Sequence, residues 1–245
     1  MNIKQPKKEQ NHMETNTRQK EIMERLYKNG KVYVGELSRS LYVSEMTVRR
    51  DLAEMEKNGL LKRFRGGAVL KFNQGELPIS ERVLIHKSEK EELASLGARH
   101  LTDGITVFID SSSTCQYMLP YLKNFKDIKI ITNSAKTMLT AGTLHIPCFL
   151  IGGEYYAQDM CLVGALAEDY ARMLNVDVAF FTTAGYSEED GVISDFDARQ
   201  TAIRREIMKN AKKKVFLFEK RKLGKKFLYT LARREDVSEI ITLKD

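Results

Sequence analysis

The chain has 245 residues, 42% of them hydrophobic and 30% charged, a balance that fits one or two globular domains and excludes wholesale disorder. No apolar run reaches the roughly 18 residues of a membrane span, the polar N-terminus lacks a secretory signal, and three scattered cysteines suit neither disulfides nor zinc. The net charge of +7 arises entirely within residues 1–75, which hold 16 basic and 9 acidic side chains. We therefore expect a reduced, cytoplasmic protein with no membrane partner, no metal and no cofactor, whose first third binds a polyanion.

Two short helices are predicted first along the chain. Apolar side chains at helical spacing around Ile22 and Leu26 indicate the first helix. A short apolar stretch at residues 32–34 follows, and residues 36–41 then fit a helix of about two turns.

A third helix begins after Ser44, whose hydroxyl is placed to accept the backbone N–H three residues on. Val48, Leu52 and Met55 follow at spacings of four and three, so they form one buried stripe. The polar residues of this helix are left on its other faces.

After the third helix, residues 60–65 and 68–70 predict two short strands around Gly66-Gly67. Three helices and a basic hairpin are typical of a winged helix-turn-helix, in which the N-terminal turn of one helix fits the major groove of DNA. A small helical domain with surface arginines is the alternative, and the charge asymmetry favours DNA binding. The candidate DNA-binding residues are Ser44, Glu45, Thr47, Arg49, Arg50, Arg63 and Arg65.

The segment Val43-Ser44-Glu45-Met46-Thr47-Val48-Arg49-Arg50-Asp51-Leu52 resembles the recognition-helix signature of DeoR-type bacterial transcription regulators. Residues 60–69 are similar to the wing of that family, so the resemblance covers residues 17–70. It implies that the second and third helices form the DNA-reading pair. It also implies a double-stranded DNA operator as partner.

Beyond a predicted linker at residues 72–78, apolar strands alternate with helices, which indicates a parallel sheet covered on both faces. This places a winged helix-turn-helix domain at 15–71 and an α/β effector-sensing domain at 76–245. The strands are predicted at 105–109, 128–131, 148–151, 178–181 and 215–218, and the helices at 113–123, 135–143, 164–174 and 198–212.

Polar residues and glycines follow three of these strands, at the edge where parallel sheets bind ligands. Hydroxyls and backbone N–H groups at a strand-to-helix turn suit an anion, and a glycine pair permits a close approach. Helix capping is the alternative role for such hydroxyls. The candidate effector-binding residues are Asp110, Ser111, Ser112, Ser113, Thr114, Asn133, Ser134, Gly152, Gly153, Arg204 and Lys222.

Residues 76–242 resemble the DeoR-type sensor domain, which is related in fold to sugar-phosphate isomerases and CoA transferases. The resemblance rests on the strand-end residues above and on 163–164, 184–185 and 222–224. It implies that a phosphorylated sugar or polyol binds there and alters operator affinity. The chain departs from the family pattern at Arg204, at Glu219-Lys220-Arg221 and at Glu154, and these departures bear on the ligand more than on the fold.

Three other features are assigned structural roles. Cys115 is expected to be a buried thiol rather than a redox sensor. The basic run at 212–214 is expected to end a helix, where cations oppose the helix dipole. Asp190, Asp195 and Asp197 are expected in a solvated loop.

Two classes of function stay open. The first is a regulator that represses a carbohydrate-metabolism operon until a phosphorylated sugar or related anionic metabolite binds. It has no catalytic residue, and we expect a homodimer or homotetramer, because paired half-sites multiply specificity. The alternative is a sugar-phosphate isomerase-like enzyme with a fused DNA-binding module, for which Asp110 and Lys222 are the one nominated pair of base and cation.

Overall fold

The computed structural model describes residues 17–26, 29–58, 60–70 and 77–243. The chain divides into two compact units, Met1–Leu77 and Pro78–Asp245. Within those described ranges, none of the helices is both long and apolar enough to span a membrane.

The described residues of the first unit form three helices and three short strands. They are α1 (17–26), β1 (Lys31–Tyr33), α2 (Val34–Ser40), α3 (Glu45–Lys57), β2 (Leu61–Phe64) and β3 (Gly67–Leu70). The strands form an antiparallel sheet in the order β1-β3-β2. This arrangement is a winged helix-turn-helix, and the predicted hairpin is confirmed.

Local chemistry explains where α3 and the wing begin. Ser44 caps α3 as predicted, because its Oγ accepts the Thr47 N–H at 3.2 Å. The wing turns at Gly66, which has a φ of +94°. A methyl group at Gly67 would lie 2.1 Å from the Val32 carbonyl oxygen, so only glycine lets β3 approach β1 this closely.

The second unit is an α/β domain. Its elements are α4 (Ile79–Arg82), α5 (Lys87–Gly97), β4 (Thr106–Ile109), α6 (Leu119–Leu122), β5 (Lys129–Thr132), α7 (Ala135–Thr143), β6 (Cys148–Leu150), β7 (Glu154–Tyr156), β8 (Cys161–Val163), α8 (Ala165–Met173), β9 (Val176–Phe181), β10 (Gly185–Ser187), β11 (Val192–Asp195), α9 (Ala198–Asn210), β12 (Ala211–Phe218), β13 (Tyr229–Arg233) and β14 (Glu239–Thr242). Six strands form a parallel sheet in the order β14-β12-β9-β4-β5-β6. Two small antiparallel sheets, β10-β11-β13 and β7-β8, stand beside it.

Hydrophobic cores cover both faces of the parallel sheet, which explains why its strands are continuously apolar. Neighbouring side chains alternate between the cores: Phe180 packs in the core with α5, α6 and α7, and Phe181 in the core with α8 and α9. The polar ends of the strands therefore lie between two packed layers.

The predicted helix at 135–143 is confirmed, whereas two other predictions differ from the structure. The helix predicted at 113–123 is instead a 3₁₀ turn, Cys115–Met118, followed by the single turn of α6. The basic run at 212–214 does not end a helix as predicted, because it lies in β12, where Lys213 and Lys214 pair with β9. Lys212 instead forms an ion pair with Asp177 at 2.7 Å.

Candidate DNA-binding and effector sites

The N-terminal half of α3 presents its polar side outward. Val48, Leu52 and Met55 are buried against the rest of the unit, as the spacing predicts. Glu45, Arg49 and Arg50 are exposed, and Thr47 is half-buried behind the Ser44 cap. The predicted residues of this helix can therefore approach another molecule without unfolding any part of the domain.

The exposed arginines of α3 differ in how they are held. Arg49 Nη2 donates to Glu45 Oε2 at 3.0 Å, with both side chains more than half exposed. Exposed pairs of this kind contribute about 0–1 kcal/mol, so a phosphate can replace the glutamate readily. No ion pair of Arg50 is found within the described part of the chain, so its guanidinium is open to a phosphate or a guanine edge.

The wing arginines also differ from one another. Arg63 Nε donates to Glu56 Oε2 at 2.7 Å, and the backbone N–H of Arg63 donates to the same carboxylate. These two hydrogen bonds, the backbone one foremost, lower the pKa of Glu56, which stays ionised. Arg65 is exposed at the turn of the wing. Arg65 is therefore freer to reach DNA than Arg63.

Three residues around the N-terminal half of α3 were not among the predicted site residues, although they hold or flank the candidate DNA-binding surface. Asp51 is buried and accepts two hydrogen bonds from Arg18, and the one from Arg18 Nη2 to Asp51 Oδ1 is 3.0 Å long. These hydrogen bonds connect α3 to α1. Tyr42 and Met46 are exposed beside the N-terminal turn of α3, where large apolar side chains suit contact with another molecule. The exposure of Met46 follows from its position opposite the buried stripe.

In the second unit, all the predicted effector residues except Gly152 and Gly153 are buried around the carboxyl ends of the strands, and we call this region the buried polar centre. Arg204, on α9, lies at its middle. Its Nε donates to Asp110 Oδ1 at 3.0 Å, and its Nη1 donates to Asp195 Oδ2 at 2.7 Å. Burial opposes the charge of Arg204, but the two carboxylates outweigh it and raise its pKa. Arg204 is therefore neutralised from within the protein.

Lys222 lies at the other side of this centre. Its Nζ donates to Thr182 Oγ1 at 3.0 Å and is 3.6 Å from Glu219 Oε1. Burial lowers the pKa of Lys222 to about 8, although Glu219 opposes the shift. Burial would raise the pKa of Glu219, but Lys222, Arg221 and Lys90 hold it below its usual range. Glu219 thus lies within 4.0 Å of three basic side chains, and burial lowers the pKa of one of them, Lys90, to about 7.

Several predicted hydroxyls cap local structure. Ser112 Oγ accepts the Cys115 N–H at 3.2 Å, and Ser134 Oγ accepts the Thr137 N–H at 3.1 Å. Ser111 donates to Gln200 Oε1 at 3.3 Å, and Thr114 donates to Glu219 Oε1 at 3.0 Å. Ser113 is buried beside them. These hydroxyls hold the centre in shape, and a ligand would meet the backbone N–H groups around them.

The two glycines after β6 differ. Gly153 has a φ of +146°, and a methyl group there would lie 2.6 Å from the Val163 carbonyl oxygen, so Gly153 lets β8 and α8 pack closely. A methyl group at Gly152 would meet no atom within 4 Å, which leaves its backbone open to a ligand. Gly153 is nevertheless the more exposed of the two, so both positions stay candidates for the close approach that the sequence predicts.

Two buried polar atoms near these strand ends have no hydrogen-bond partner among the residues that the structure describes: Asn133 Oδ1, after β5, and Gln116 Nε2. Buried polar groups are normally paired, and an unpaired acceptor and donor suit the hydroxyls of a polyol or sugar. Because the surrounding side chains are also buried, a ligand can enter only when part of the centre opens.

The structure corrects the prediction of a solvated loop for two carboxylates, Asp195 and Asp197. Asp195 does not lie in a solvated loop, because β11 carries it into the core, and Asp197 caps α9 by accepting the Arg199 and Gln200 N–H groups. Asp190 does lie at the surface, paired with Lys226. Asp110 pairs with Arg204 and Lys222 with Glu219, so among the described residues the nominated base and cation form no ion pair with each other.

Two residues of the centre could have been found from the sequence. Glu219 follows a buried strand directly, as Asp110 does, so the same strand-end rule applies to it. Lys90 lies on α5 at helical spacing from Leu93, Ala94 and Gly97, all of them buried, so the periodicity predicts a buried lysine.

The thiol of Cys115 and the groups that could bind a metal concern chemistry that the geometry can address. Cys115 is buried, and desolvation raises its pKa, which disfavours the reactive thiolate. In the described ranges, no group of three or more His, Cys, Asp or Glu side chains could hold a metal ion.

The fold and these two sites define a two-module protein: a winged-helix DNA-binding unit, and an α/β unit with a buried polar centre at its strand ends. The DeoR C terminal sensor domain matches residues 85–244, and the DeoR-like helix-turn-helix domain matches residues 18–74. The chain belongs to the DeoR family of DNA-binding transcription regulators, as the resemblance in its sequence implies.

Similar proteins of full length are regulators by name. The chain is 30% identical over 227 residues to the HTH-type transcriptional regulator GolR of Listeria innocua, covering 92% of this chain and 89% of that one. It is 27% identical over 233 residues to the glycerol-3-phosphate regulon repressor of Escherichia coli, covering 94% and 91%. Among solved structures, ribose 5-phosphate isomerase from Plasmodium falciparum matches with a TM-score of 0.41 and 17% identity over 56% of this chain, which spans 52% of the isomerase.

Proposed function

We propose that this regulator represses an operon of carbohydrate metabolism and that a phosphorylated sugar or related anionic metabolite relieves the repression. The observation that carries the proposal is Lys222, a buried lysine at one side of the polar centre whose Nζ donates to Thr182 Oγ1 at 3.0 Å and lies 3.6 Å from Glu219 Oε1. A similar protein is named a glycerol-3-phosphate regulon repressor, which fits a phosphorylated effector.

For DNA, we assign base and phosphate contacts to the N-terminal turn of α3 and to the wing. The exposure of this surface and the open guanidinium of Arg50 support the assignment. The assigned residues are Ser44, Glu45, Thr47, Arg49, Arg50, Arg63 and Arg65. Arg63 must first leave Glu56, so its contribution is smaller than that of Arg65.

For the effector, we assign Lys222 and the backbone N–H groups of 111–114 to the anion. Asn133 and Gly152 are assigned to the rest of the ligand, because an unpaired amide oxygen and an open backbone suit sugar hydroxyls. The Asp110–Arg204 pair keeps these elements in register without contacting the phosphate. Glu154 is exposed on β7, so it disfavours an anion less than a buried carboxylate would.

We propose that residues 15–71 act as the DNA-binding module and residues 76–245 as the sensor, in the cytoplasm. We further propose a homodimer or homotetramer. Leu166, Tyr170 and Met173 form an exposed apolar stripe along α8, which suits a second copy of the chain, and two copies suit paired half-sites. Sedimentation of the full chain measures the oligomeric state, and a monomer at working concentration would refute this part.

We propose no catalytic activity. An isomerase base must be a free carboxylate near the reacting carbon, whereas both oxygens of Asp110 accept hydrogen bonds from Arg204. Turnover of ribose 5-phosphate by the purified protein would contradict this, and loss of that turnover in Asp110→Asn would assign it to the centre.

The regulator is tested by titrating the full chain against its own upstream duplex and a scrambled duplex. The titration is run at several salt concentrations, with and without glycerol 3-phosphate, ribose 5-phosphate and inorganic phosphate. We expect tight binding to the upstream duplex that weakens with salt and that one phosphorylated compound releases. Equal affinity for both duplexes would refute sequence-specific binding at that site.

A further inference from the structure

The first residues of the second unit form one short helix followed by turns. We call residues 78–86 the connecting segment; it holds α4 and begins where the first unit ends. A helix of four residues is far too short to persist alone. Contacts with the rest of the second unit therefore decide where the connecting segment lies.

Two side chains hold the backbone of the connecting segment through three hydrogen bonds. Lys90 Nζ donates to the Arg82 carbonyl oxygen and, at 2.8 Å, to the Ile85 carbonyl oxygen. Tyr117 Oη donates to the Val83 carbonyl oxygen at 2.7 Å. Lys90 is fully buried, so water cannot replace these hydrogen bonds without a rearrangement.

The same lysine also faces the buried polar centre. Lys90 Nζ is 4.0 Å from Glu219 Oε2, and the other oxygen of Glu219 is 3.6 Å from Lys222 Nζ. Glu219 therefore stands between Lys222, assigned to the effector anion, and the lysine that holds the connecting segment. Arg221 lies closer to Glu219, with its Nε 2.9 Å from Glu219 Oε2, and fixes the carboxylate in place.

We propose that Lys90 couples the effector site to the connecting segment, and through it to the DNA-binding unit. This inference rests on the proposed function. A bound anion draws Lys222 away from Glu219, which strengthens the attraction between Glu219 and Lys90. The Lys90 ammonium then moves toward Glu219 and releases the carbonyl oxygens of Arg82 and Ile85, so the connecting segment loosens and operator affinity falls.

A second contact gives the connecting segment a link to Arg204. The Arg82 guanidinium pairs with Asp159, and Asp159 also accepts a hydrogen bond from the side-chain amide of Gln200. Gln200 Oε1 in turn accepts from Arg204 Nη2 at 3.0 Å. This link does not include Lys222, so we expect the Arg82 side chain to stay anchored when an anion is bound, while the backbone that Lys90 holds loosens.

The test compares Lys90→Met with Lys87→Met, a lysine of the same helix that is exposed and pairs only with Glu91 among the described residues. In the ligand-free state we expect Lys90→Met to bind the operator about ten-fold more weakly than the parent, within the usual range of coupling between sites. Glycerol 3-phosphate, ribose 5-phosphate or inorganic phosphate, whichever releases the parent, should have no further effect on it. Lys87→Met should match the parent, and a Lys90→Met protein with normal operator affinity and normal release would overturn the proposal.

Two further measurements guard against a trivial loss of folding. Ligand affinity measured by calorimetry should stay within about three-fold of the parent in Lys90→Met, because Lys222 still binds the anion. Tyr117→Phe removes one hydroxyl from the same segment and should reduce the ligand effect partially. A folded Lys90→Met protein that has lost its ligand affinity would place Lys90 in the ligand site and contradict its role as a coupling residue.

Hydrogen exchange separates this proposal from the proposed function. Amides of residues 79–86 should exchange faster in Lys90→Met than in Lys87→Met, with neither DNA nor ligand present. If the parent does not prefer its upstream duplex, the proposed function fails at that site, and the exchange rates still decide whether Lys90 holds the segment. Equal exchange in the two variants would overturn the coupling role.

Discussion

The two units use arginine and lysine in opposite ways. On α3 and the wing, the cations are exposed, and their ion pairs are open to water. In the buried polar centre, Arg204 is enclosed between Asp110 and Asp195, and Lys222 beside Glu219. Exposed pairs contribute about 0–1 kcal/mol, whereas breaking a buried pair costs about 3–5 kcal/mol.

This difference separates binding from stability. The exposed arginines of α3 and the wing can exchange a carboxylate partner for a phosphate at little cost. Their removal should therefore weaken DNA binding and leave folding intact. The buried charges of the centre fix the positions of strands and helices, so removal of Arg204, which two carboxylates share, should destabilise the domain whatever its effect on ligand binding.

The largest effect is expected for Arg204→Met. It leaves the carboxylates of Asp110 and Asp195 buried without their shared cation, so the sensor unit should lose about 3–5 kcal/mol of unfolding free energy. Urea unfolding measures this loss. Arg199→Met, on the exposed side of the same helix, is the control and should change stability by less than about 0.5 kcal/mol. Equal unfolding free energies of the two variants would show that Arg204 does not stabilise the sensor unit.

Asp51→Ala tests whether a buried pair in the DNA-binding unit follows the same rule. Arg18 loses its carboxylate but is partly exposed and can be rehydrated, so we expect a smaller loss of about 3 kcal/mol in the stability of that unit. Thermal unfolding of the full chain measures it, with Glu54→Ala on the exposed side of α3 as the control. A loss of stability no greater than that of Glu54→Ala would show that breaking a buried ion pair costs less in the DNA-binding unit than in the sensor unit.

Arg50→Ala should separate binding from stability most cleanly. Operator affinity should fall by about 1–3 kcal/mol, and if Arg50 meets a phosphate the salt slope should drop by about one. The unfolding free energy should not change. Lys57→Ala removes one charge from the far end of the same helix and should leave operator affinity near that of the parent. Unchanged operator affinity and an unchanged salt slope in Arg50→Ala would show that Arg50 does not contact the DNA.

The smallest expected effect is the pH dependence of ligand binding. Lys222 carries its charge below its pKa of about 8, so affinity for a phosphorylated ligand should fall as the pH rises through that value. Calorimetry from about pH 7 to about pH 9 measures this, and Lys222→Arg, which stays charged, should show little fall. The same fall in both proteins would place the titrating group elsewhere.

The sequence was a good guide where a rule acts locally. The Ser44 cap, the buried stripe of α3 and the hairpin depend on neighbouring residues, and all are confirmed. The parallel sheet was predicted because its strands are buried on both faces and are therefore apolar throughout. In each case the signal lies within one element of secondary structure.

The pairing of the buried charges could not be predicted in the same way. Asp195 reaches Arg204 because β11 belongs to a small antiparallel sheet whose strands of three to five residues carry too weak a signal to be predicted. Asp110 meets Arg204 rather than Lys222 because of the way α9 packs on the sheet, which only tertiary structure determines. Lys90 is the exception, since helical periodicity indicates its burial.

The central claim is that one ligand-binding centre controls one DNA-binding surface, and the most direct measurement is ligand affinity with and without operator. Linkage requires that a ligand that weakens operator binding by some factor binds the operator-bound protein more weakly by the same factor. For the phosphorylated compound that releases the parent, calorimetry should give tighter binding to the free protein than to the operator complex. Equal ligand affinity in the two states would contradict the account.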